Sequence, residues 1–249
     1  MRPTQKNKQA IYGRNPILEA LNKGVALERV YLKDNMTGDL EKEIRHLCKV
    51  NQIPLKRVPT VKLDKIVNSR NHQGLVALTS LIEYQSLHNV IPHLYEQGIA
   101  PLILVLDNIT DIRNIGAIAR SCEVLGAHAL VLSGKNSGYI NQDAIKTSAG
   151  ALFRLPVCRE RTSLDVIEIL NDHGINIVGT SLRGKDSLSD KLTGPIAIVM
   201  GSEDEGLHIT LENKCHHLVR IPQKGTIDSL NVSVAAGIML YEMMIQNMS

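Results

Sequence analysis

The pattern of apolar and polar positions divides the chain into two parts. In the first part, short apolar runs predict strands, and helical spacing of apolar residues predicts helices between them. Asn15 and Thr37 stand at the starts of two of these helices and are residue types that cap helices. The predicted strands are ALERVYLK, IPLKRVP and LVALTSLIEY, and the predicted helices are NPILEALNKG, TGDLEKEIRHLCKV and TVKLDKIVNS. These elements predict a small α/β domain that ends near residue 85.

The second part contains longer apolar runs separated by helical patterns. PLILVLD is apolar almost throughout, as expected of a parallel strand that is covered on both faces. Strands that alternate with helices favour a parallel sheet, with ligands at the carboxyl ends of its strands. The predicted strands are PLILVLD, HALVLSG, INIVGTSL, PIAIVMG and HLVRIP, and the helices are RNIGAIARSCEVLG, NQDAIKTSAGAL, TSLDVIEILNDHG and SLNVSVAAGIMLYEMMIQ. We therefore expect a domain at 1–85, a connecting helix within 86–100 and a second domain at 101–249.

The charge is concentrated at the front of the chain. The net charge of the chain is +3. Residues 1–70 hold 15 Lys and Arg against 7 Asp and Glu, and the remainder holds 13 Lys and Arg against 18 Asp and Glu. A basic segment before a mildly acidic body indicates a module that binds a polyanion such as RNA, although a solvated lysine-rich surface gives the same count. With one Phe and no Trp, RNA binding would depend on phosphate, shape and the 2′-hydroxyl rather than on base stacking.

Composition excludes several classes of protein. No apolar run approaches the roughly 18–20 residues that span a bilayer, and the polar, basic start of the chain does not resemble a secretory signal. The four cysteines are far apart and form no CxxC pair, so we expect buried free thiols. The nine histidines show no ligand pattern with cysteines or carboxylates, and we expect no metal. These features predict a cytoplasmic protein without a membrane partner.

Three stretches place polar residues directly after apolar strands. In residues 107–127, Arg120 lies in an otherwise small and apolar helix, where it needs a carboxylate or phosphate partner if buried; the alternative is an ion pair with Glu123 or another nearby acid on a solvated face. In residues 196–207, Gly201 ends a strand, and its missing Cβ would let a ligand approach the backbone; the alternative is an ordinary acidic turn. In residues 219–237, Ser229 would begin the last helix and cap it, or would face a ligand together with Asn231.

These three stretches resemble the motifs of a known family, in order and together: RNIGAIARSC, IVMGSEDEGL and IPQKGTIDSLNVSVAAGIMLYE. The chain is similar to the knotted RNA ribose 2′-O-methyltransferases that use S-adenosylmethionine, the TrmH branch of the SPOUT superfamily. The front part, through IYGRNPILEAL and HQGLVAL, resembles the substrate-binding domain of the RlmB-type subgroup. The resemblance implies a parallel-sheet SPOUT domain with a deep trefoil knot, a homodimer through that domain, and methylation of a guanosine ribose in large-subunit ribosomal RNA.

The resemblance also implies roles for individual residues. Those that match the family's active site are Asn114, Arg120, Glu203, Ser229 and Asn231. Those whose backbone would hold the cofactor are Thr180, Gly201, Ile221 and Leu230. The family's proposed base corresponds to Arg120, although a guanidinium with a pKa above about 12 is a poor base. Arg120 would instead hold a neighbouring phosphate and stabilise negative charge on the 2′-oxygen, or would act as a base if Arg113 lowered its pKa.

Other functions remain open at this stage. A nicotinamide oxidoreductase and an ordinary Rossmann methyltransferase both need an early glycine-rich turn, and no GxGxxG opens a helix after any predicted strand. A transfer-RNA ribose is the alternative substrate. A non-catalytic RNA-binding factor in ribosome assembly would also suit the basic front, but it would not need Asn114, Arg120, Glu203 and Asn231 at the ends of strands.

Overall fold

The computed structural model describes residues 10–134, 137–186, 192–202, 206–226 and 229–248. The chain divides into two compact units, Met1–Glu83 (unit 1) and Tyr84–Ser249 (unit 2). Within the described residues, no helix is long and apolar enough to cross a membrane. The four thiols are free; three of them, at Cys48, Cys122 and Cys158, are buried, and Cys215 is half-buried.

Unit 1 is built on a mixed sheet of four strands in the order β1-β4-β2-β3. Strand β4 is antiparallel to β1 and to β2, and β2 is parallel to β3. The elements are β1 (Ala10–Tyr12), α1 (Arg14–Asn22), β2 (Leu27–Lys33), α2 (Asp39–Val50), β3 (Leu55–Val58), α3 (Thr60–Val67) and β4 (Leu75–Thr79). The α/β prediction for the front of the chain is confirmed, with β1 as an additional short strand.

The sheet of unit 1 is covered on both faces. Val30 and Leu32 of β2 pack into one apolar cluster with residues of α1 and α2. Tyr31, between them in sequence, packs into a second cluster with Leu63 and Val67 of α3. Because side chains alternate between the two faces of a strand, β2 belongs to both cores.

The predicted caps of α1 and α2 are wrong. The two helices follow Gly13 and Gly38, with no hydrogen bond from a capping side chain, so neither Asn15 nor Thr37 is a cap. Both glycines have φ values, 94° and 97°, that other residues rarely adopt. The chain therefore enters both helices through a backbone turn that only glycine takes readily.

Unit 2 is built on six parallel strands in the order β10-β8-β9-β5-β6-β7. Its helices and strands are α4 (Leu87–Glu96), β5 (Leu102–Asp107), α5 (Ile112–Val124), β6 (Ala129–Ser133), α6 (Gln142–Thr147), β7 (Val157–Glu160), α7 (Ser163–Asp172), β8 (Asn176–Asp186), β9 (Ile196–Met200), α8 (Ile209–Glu212), β10 (His217–Arg220) and α9 (Val232–Met248), with a 3-10 turn at Ala151–Phe153. The parallel sheet is confirmed. The order of the strands does not by itself show the trefoil knot, which stays a prediction.

The central strands of unit 2 are fully buried, as their apolar runs predict. Every residue of β5, β6 and β9 is buried, because helices cover both faces of the sheet. The last helix, α9, begins at Val232 rather than at Ser229. Asn231 caps it, because its side-chain oxygen accepts a hydrogen bond from the backbone N–H of Ser233 at 3.0 Å. The polar residue at the start of this helix thus has a structural role.

Candidate functional site

A cleft of about 410 Å³ lies in unit 2 where β8, β9 and β10 end and α9 begins. None of the described residues that line it comes from β5 or β6. The lining residues come from three strand ends and the start of α9: Thr180, Ser181, Leu182, Arg183, Met200, Gly201, Ser202, Gly206, Leu207, Glu212, Val219, Arg220, Ile221, Gln223, Ser229, Leu230, Val232 and Ala235.

One wall of the cleft is an arch in β8. Gly179 of β8 pairs with Leu218 of β10, but the next residue of β10, Val219, pairs with Lys185. Residues 180–184 of β8 therefore have no partner in the β10 ladder and bulge out of it. Four of the five, 180–183, line the cleft. We refer to residues 180–184 as the β8 arch.

A buried carboxylate holds the arch in place. Glu212, at the end of α8, is 3% exposed and accepts hydrogen bonds from the hydroxyl of Ser181 and from the guanidinium of Arg183, the latter at 2.8 Å. Burial alone would raise the pKa of Glu212, but the bonds from Ser181 and Arg183 outweigh it and leave the pKa below its usual value. No local motif in the sequence points to Glu212, because its partners lie about thirty residues away.

Gly201 lines the cleft, and its missing Cβ also has a packing reason within the chain. A Cβ at Gly201 would lie 2.0 Å from the carbonyl oxygen of Gly206 and 2.4 Å from the backbone nitrogen of Leu207. The space beside Gly201 is therefore filled by the chain's own backbone, which returns after Ser202 and bridges to it at Gly206. Glu203, between these two points, lies outside the described residues.

Two asparagines join α5 to α9 beside the cleft. The side-chain amide of Asn231 donates a hydrogen bond to the side-chain oxygen of Asn114 at 3.2 Å, across 117 residues of sequence. Asn231 directly follows Ser229 and Leu230, which line the cleft. The structure thus brings residues of the first and third predicted stretches together at one edge of the cleft.

Arg120 is placed differently from the other candidates. It lies on α5, is exposed, and is not among the described residues that line the cleft. The alternative ion pair with Glu123 does not form, because Glu123 is bound by Arg154 at 2.9 Å. Six residues separate Arg120 from Asn114, or about 9 Å along the helix axis. Within the ranges that the structure describes, Arg120 makes no ion pair, so its charge is available to an external anion.

The candidates therefore form three groups. Five of them line the cleft: Thr180, Gly201, Ile221, Ser229 and Leu230. Asn114 and Asn231 form the bonded pair beside it. Arg120 stands on the outer surface of α5, and Glu203 cannot be placed. In the described part of the chain, no group of three or more His, Cys, Asp or Glu side chains is arranged to hold a metal ion.

Comparison with family profiles matches most of the chain. Residues 101–241 match the SpoU rRNA Methylase family. Residues 10–85 match a domain described as RNA 2′-O ribose methyltransferase substrate binding. The two matched ranges correspond to the sheets of unit 2 and unit 1.

A full-length relative and two solved structures are similar to the chain. Bacillus subtilis YacO, whose name places it among TrmH family tRNA/rRNA methyltransferases, is 31% identical over 93% of both chains. A crystal structure titled as an RNA 2′-O ribose methyltransferase is 27% identical, has a TM-score of 0.55 and aligns over 98% of this chain and 92% of its own. AviRb from Streptomyces viridochromogenes, crystallised with AdoMet, has a TM-score of 0.60, 24% identity and 95% and 89% coverage, and shares the fold.

Proposed function

Since the chain belongs to the SpoU rRNA methylase family, we propose that it transfers a methyl group from S-adenosylmethionine to a ribose 2′-hydroxyl of RNA. The observation that carries the proposal is the cleft in unit 2, with the bonded pair Asn114–Asn231 beside it. The carboxyl ends of three strands and the start of α9 meet there.

The residues of the cleft fit S-adenosylmethionine. Apolar side chains, among them those of Leu182 and Leu230, offer a surface for a flat base, and strand ends at Gly201 and Ile221 offer backbone groups for the ribose and the amino-acid end. Arg183 is paired with the buried carboxylate of Glu212, and Arg220 is the other cation of the described lining. Backbone at Thr180, Gly201, Ile221 and Leu230 would hold the molecule.

The chain's own residues would position and activate the hydroxyl. When bound, S-adenosylmethionine supplies an electrophilic methyl group on a positively charged sulfur. Asn114 and Asn231 restrain each other and would orient the ribose, with Ser229 as a further hydrogen-bonding group. Arg120, exposed and without an acidic partner in the described ranges, would bind the adjacent phosphate and stabilise negative charge on the 2′-oxygen. Glu203 is proposed as an active-site residue from the family motif alone.

The substrate that we propose is a guanosine ribose in large-subunit ribosomal RNA. The basic front of the chain and the match of residues 10–85 to a substrate-binding domain support an RNA substrate. A transfer-RNA ribose is the competing outcome of the experiment below. A cytoplasmic location is part of the same proposal.

We also propose that the chain forms a homodimer through unit 2. Helix α9 exposes four large apolar side chains, at Val234, Ile238, Tyr241 and Ile245, with exposed fractions of 41–53%. Their spacing of four, three and four residues places them on one face of the helix. This stripe is the surface that a second copy would cover. The Ile238→Glu/Tyr241→Glu variant should sediment as a monomer, whereas Val50→Glu, at an apolar residue exposed in unit 1, should leave the dimer intact.

Two measurements test the enzymatic function. Calorimetric titration with S-adenosylmethionine should show binding, because the cleft is formed within one chain. A protein that binds RNA but not S-adenosylmethionine would instead be a non-catalytic RNA-binding factor. Mapping of ribose methylation in RNA from cells that lack the gene should then reveal one missing 2′-O-methyl group in large-subunit ribosomal RNA. A methyl group missing from transfer RNA instead would move the assignment to that substrate.

A further inference from the structure

Unit 1 contains a second cleft, of about 770 Å³, to which the proposed reaction assigns nothing. Its walls come from the starts of α1 and α3, the end of β2 with the residues after it, and the turn before β4. The lining residues are Arg14, Lys33, Asn35, Met36, Thr37, Thr60, Asp64, Arg70, His72, Gln73 and Gly74. All of them belong to the basic first 83 residues.

The charge of this cleft is positive and largely unmatched. Arg14, Lys33 and Arg70 line it, and none of the three forms an ion pair within the described ranges. Among the described lining residues, the one carboxylate is that of Asp64, which accepts a hydrogen bond from Nε2 of His72 at 3.0 Å. Three cations and one carboxylate thus line the cleft, which leaves its charge net positive.

A rigid turn, His72–Gln73–Gly74, shapes the floor of the cleft. The backbone N–H of Gly74 donates to Nδ1 of His72 at 3.0 Å, so Nδ1 is an acceptor and Nε2 carries the proton shared with Asp64. His72 is 3% exposed, and this pattern fixes both its ring and its tautomer. The side-chain oxygen of Gln73 accepts from the backbone N–H of Arg14 at 3.0 Å and ties the start of α1 to the turn.

The backbone of this turn has an uncommon conformation. Gln73 and Gly74 both have positive φ, 54° and 81°. A Cβ at Gly74 would lie 2.5 Å from Cε of Met36 and 3.4 Å from Cβ of Lys33. The turn therefore packs closely against the opposite wall. Strained backbone of this kind persists where surrounding contacts fix it, often beside ligand sites.

We propose that this cleft binds a backbone phosphate of a non-helical segment of the RNA substrate. Three cations around one recess suit a phosphate, and Asn35, Thr37 and Thr60 add neutral hydrogen-bonding groups for its oxygens or the adjoining ribose. The described lining contains no Phe, Tyr or Trp, so base stacking is not its mode of binding. A recess admits a phosphate that protrudes from a loop or bulge, whereas regular duplexes are recognised by shape across their shallow groove.

The proposal rests on the proposed function for the identity of the ligand as RNA, but its test needs no methyl transfer. Fluorescence anisotropy would measure binding of a labelled single-stranded oligouridine and of an RNA duplex to the full chain without S-adenosylmethionine. The Arg14→Ala/Arg70→Ala variant should bind the single strand at least about tenfold more weakly. Its slope of log affinity against log salt should fall by about 0.7 for each phosphate that the variant no longer binds. Binding of the duplex should change by less than about threefold.

The matched control is Lys49→Ala, which removes an exposed cation of the same unit outside the cleft. It should leave both affinities within about twofold. Equal losses for Lys49→Ala and the cleft variant, or equal losses for single strand and duplex, would overturn the proposal in favour of diffuse attraction. If the double variant does not fold, Arg70→Ala alone, a change at an exposed side chain, should show the same preferential loss of single-strand binding. If the binding measurements agree with the proposal but the protein transfers no methyl group to RNA, the proposed function is contradicted and the phosphate site is still supported.

Discussion

Unit 1 and unit 2 share a way of folding but differ in what their clefts offer a ligand. Each unit buries both faces of a sheet under helices. The cleft of unit 1 carries three cations that form no ion pair in the described ranges, and one apolar side chain, Met36. The lining of the unit 2 cleft combines apolar with small polar residues, and it holds two cations, Arg183 and Arg220, of which Arg183 is paired with buried Glu212. The class of fold therefore does not decide the ligand; the residues at strand ends and turns do.

The largest expected effect separates catalysis from cofactor binding within unit 2. Arg120→Ala should leave S-adenosylmethionine affinity within a few-fold, because Arg120 is not among the described residues that line the cleft. Single-turnover methyl transfer should fall at least about 100-fold, since loss of one charge-stabilising donor typically costs about 2.7–4 kcal/mol in the transition state. Arg120→Lys should restore little of the methyl-transfer rate, because the point charge of an ammonium does not reproduce the planar set of N–H donors of a guanidinium.

Arg154→Ala is the control for this change. Arg154 is an exposed arginine of the same unit, but it is bound to Glu123. Exposed ion pairs contribute only about 0–1 kcal/mol, so turnover should be near normal. An Arg120→Ala enzyme within threefold of the parent would remove Arg120 from the mechanism.

The second effect separates the two units physically. A fragment Tyr84–Ser249 should fold and bind S-adenosylmethionine, but it should bind RNA at least about tenfold more weakly, because the excess of basic over acidic residues lies in unit 1. The fragment should begin at Tyr84, because the ring of Tyr84 lies under the guanidinium of Arg159 and Gln85 bridges to Cys158. Anisotropy titrations at several salt concentrations provide the measurement. Equal affinities and equal salt slopes for fragment and full chain would contradict the division of labour.

A third, smaller effect tests the packing of the unit 2 cleft. Gly201→Ala should destabilise the fold by roughly 1–3 kcal/mol, the usual cost of overpacking, because its methyl group would overlap the backbone of Gly206. S-adenosylmethionine affinity should fall with it. Gly225→Ala is the control, since a Cβ there meets none of the described atoms within 4 Å. Denaturant unfolding would measure the stability of both variants, and calorimetry their affinity for S-adenosylmethionine. Equal stability of the two would show that the backbone at Gly206 moves at little cost to accommodate the methyl group.

The smallest effect compares thiols of the two units. Burial raises the pKa of Cys48 in unit 1 to about 12 and that of Cys215 in unit 2 to about 11. At pH 8 only about one thiol in a thousand is ionised at Cys215, and fewer at Cys48, because each pH unit below the pKa lowers the thiolate fraction about tenfold. Alkylation followed by mass spectrometry should therefore label Cys215 before Cys48. The rate of labelling should rise about tenfold for each unit of rising pH. Faster labelling of Cys48 would indicate local opening of unit 1.

Most strands and helices could be predicted because their signal is local. Fully apolar runs predicted β5 and β9, which are buried throughout. The helix starts were predicted less well. Asn15 and Thr37 were predicted as caps because polar side chains often cap helices, but the chain enters these helices through turns at Gly13 and Gly38. Residues 209–212 form a helix of only four residues, too short for its periodicity to be recognised.

The candidate site depended on contacts that local patterns do not contain. The family motifs supplied the residues that line the cleft, but the arch in β8 appears only when the register with β10 is known. The bonds of Glu212 to Ser181 and Arg183 join distant positions, and so does the pair Asn114–Asn231. The sequence left Arg120 open between a buried and a surface position, because the small apolar residues around it do not show which side of the helix it occupies.

The β8 arch ties the existence of the cleft to the docking of one edge strand, β10. Strand β10 must pair with β8 both before and after the arch, and these partners are about forty residues apart in sequence. Strand β10 stands at the end of the strand order and pairs with β8 alone, so it can leave the sheet without breaking the ladders of the central strands. A chain in which β10 has not yet docked therefore has a folded centre but no cleft wall. A molecule that binds the cleft stabilises only the completed fold, and protects β10 and α9 from proteolysis more than β5 or β6.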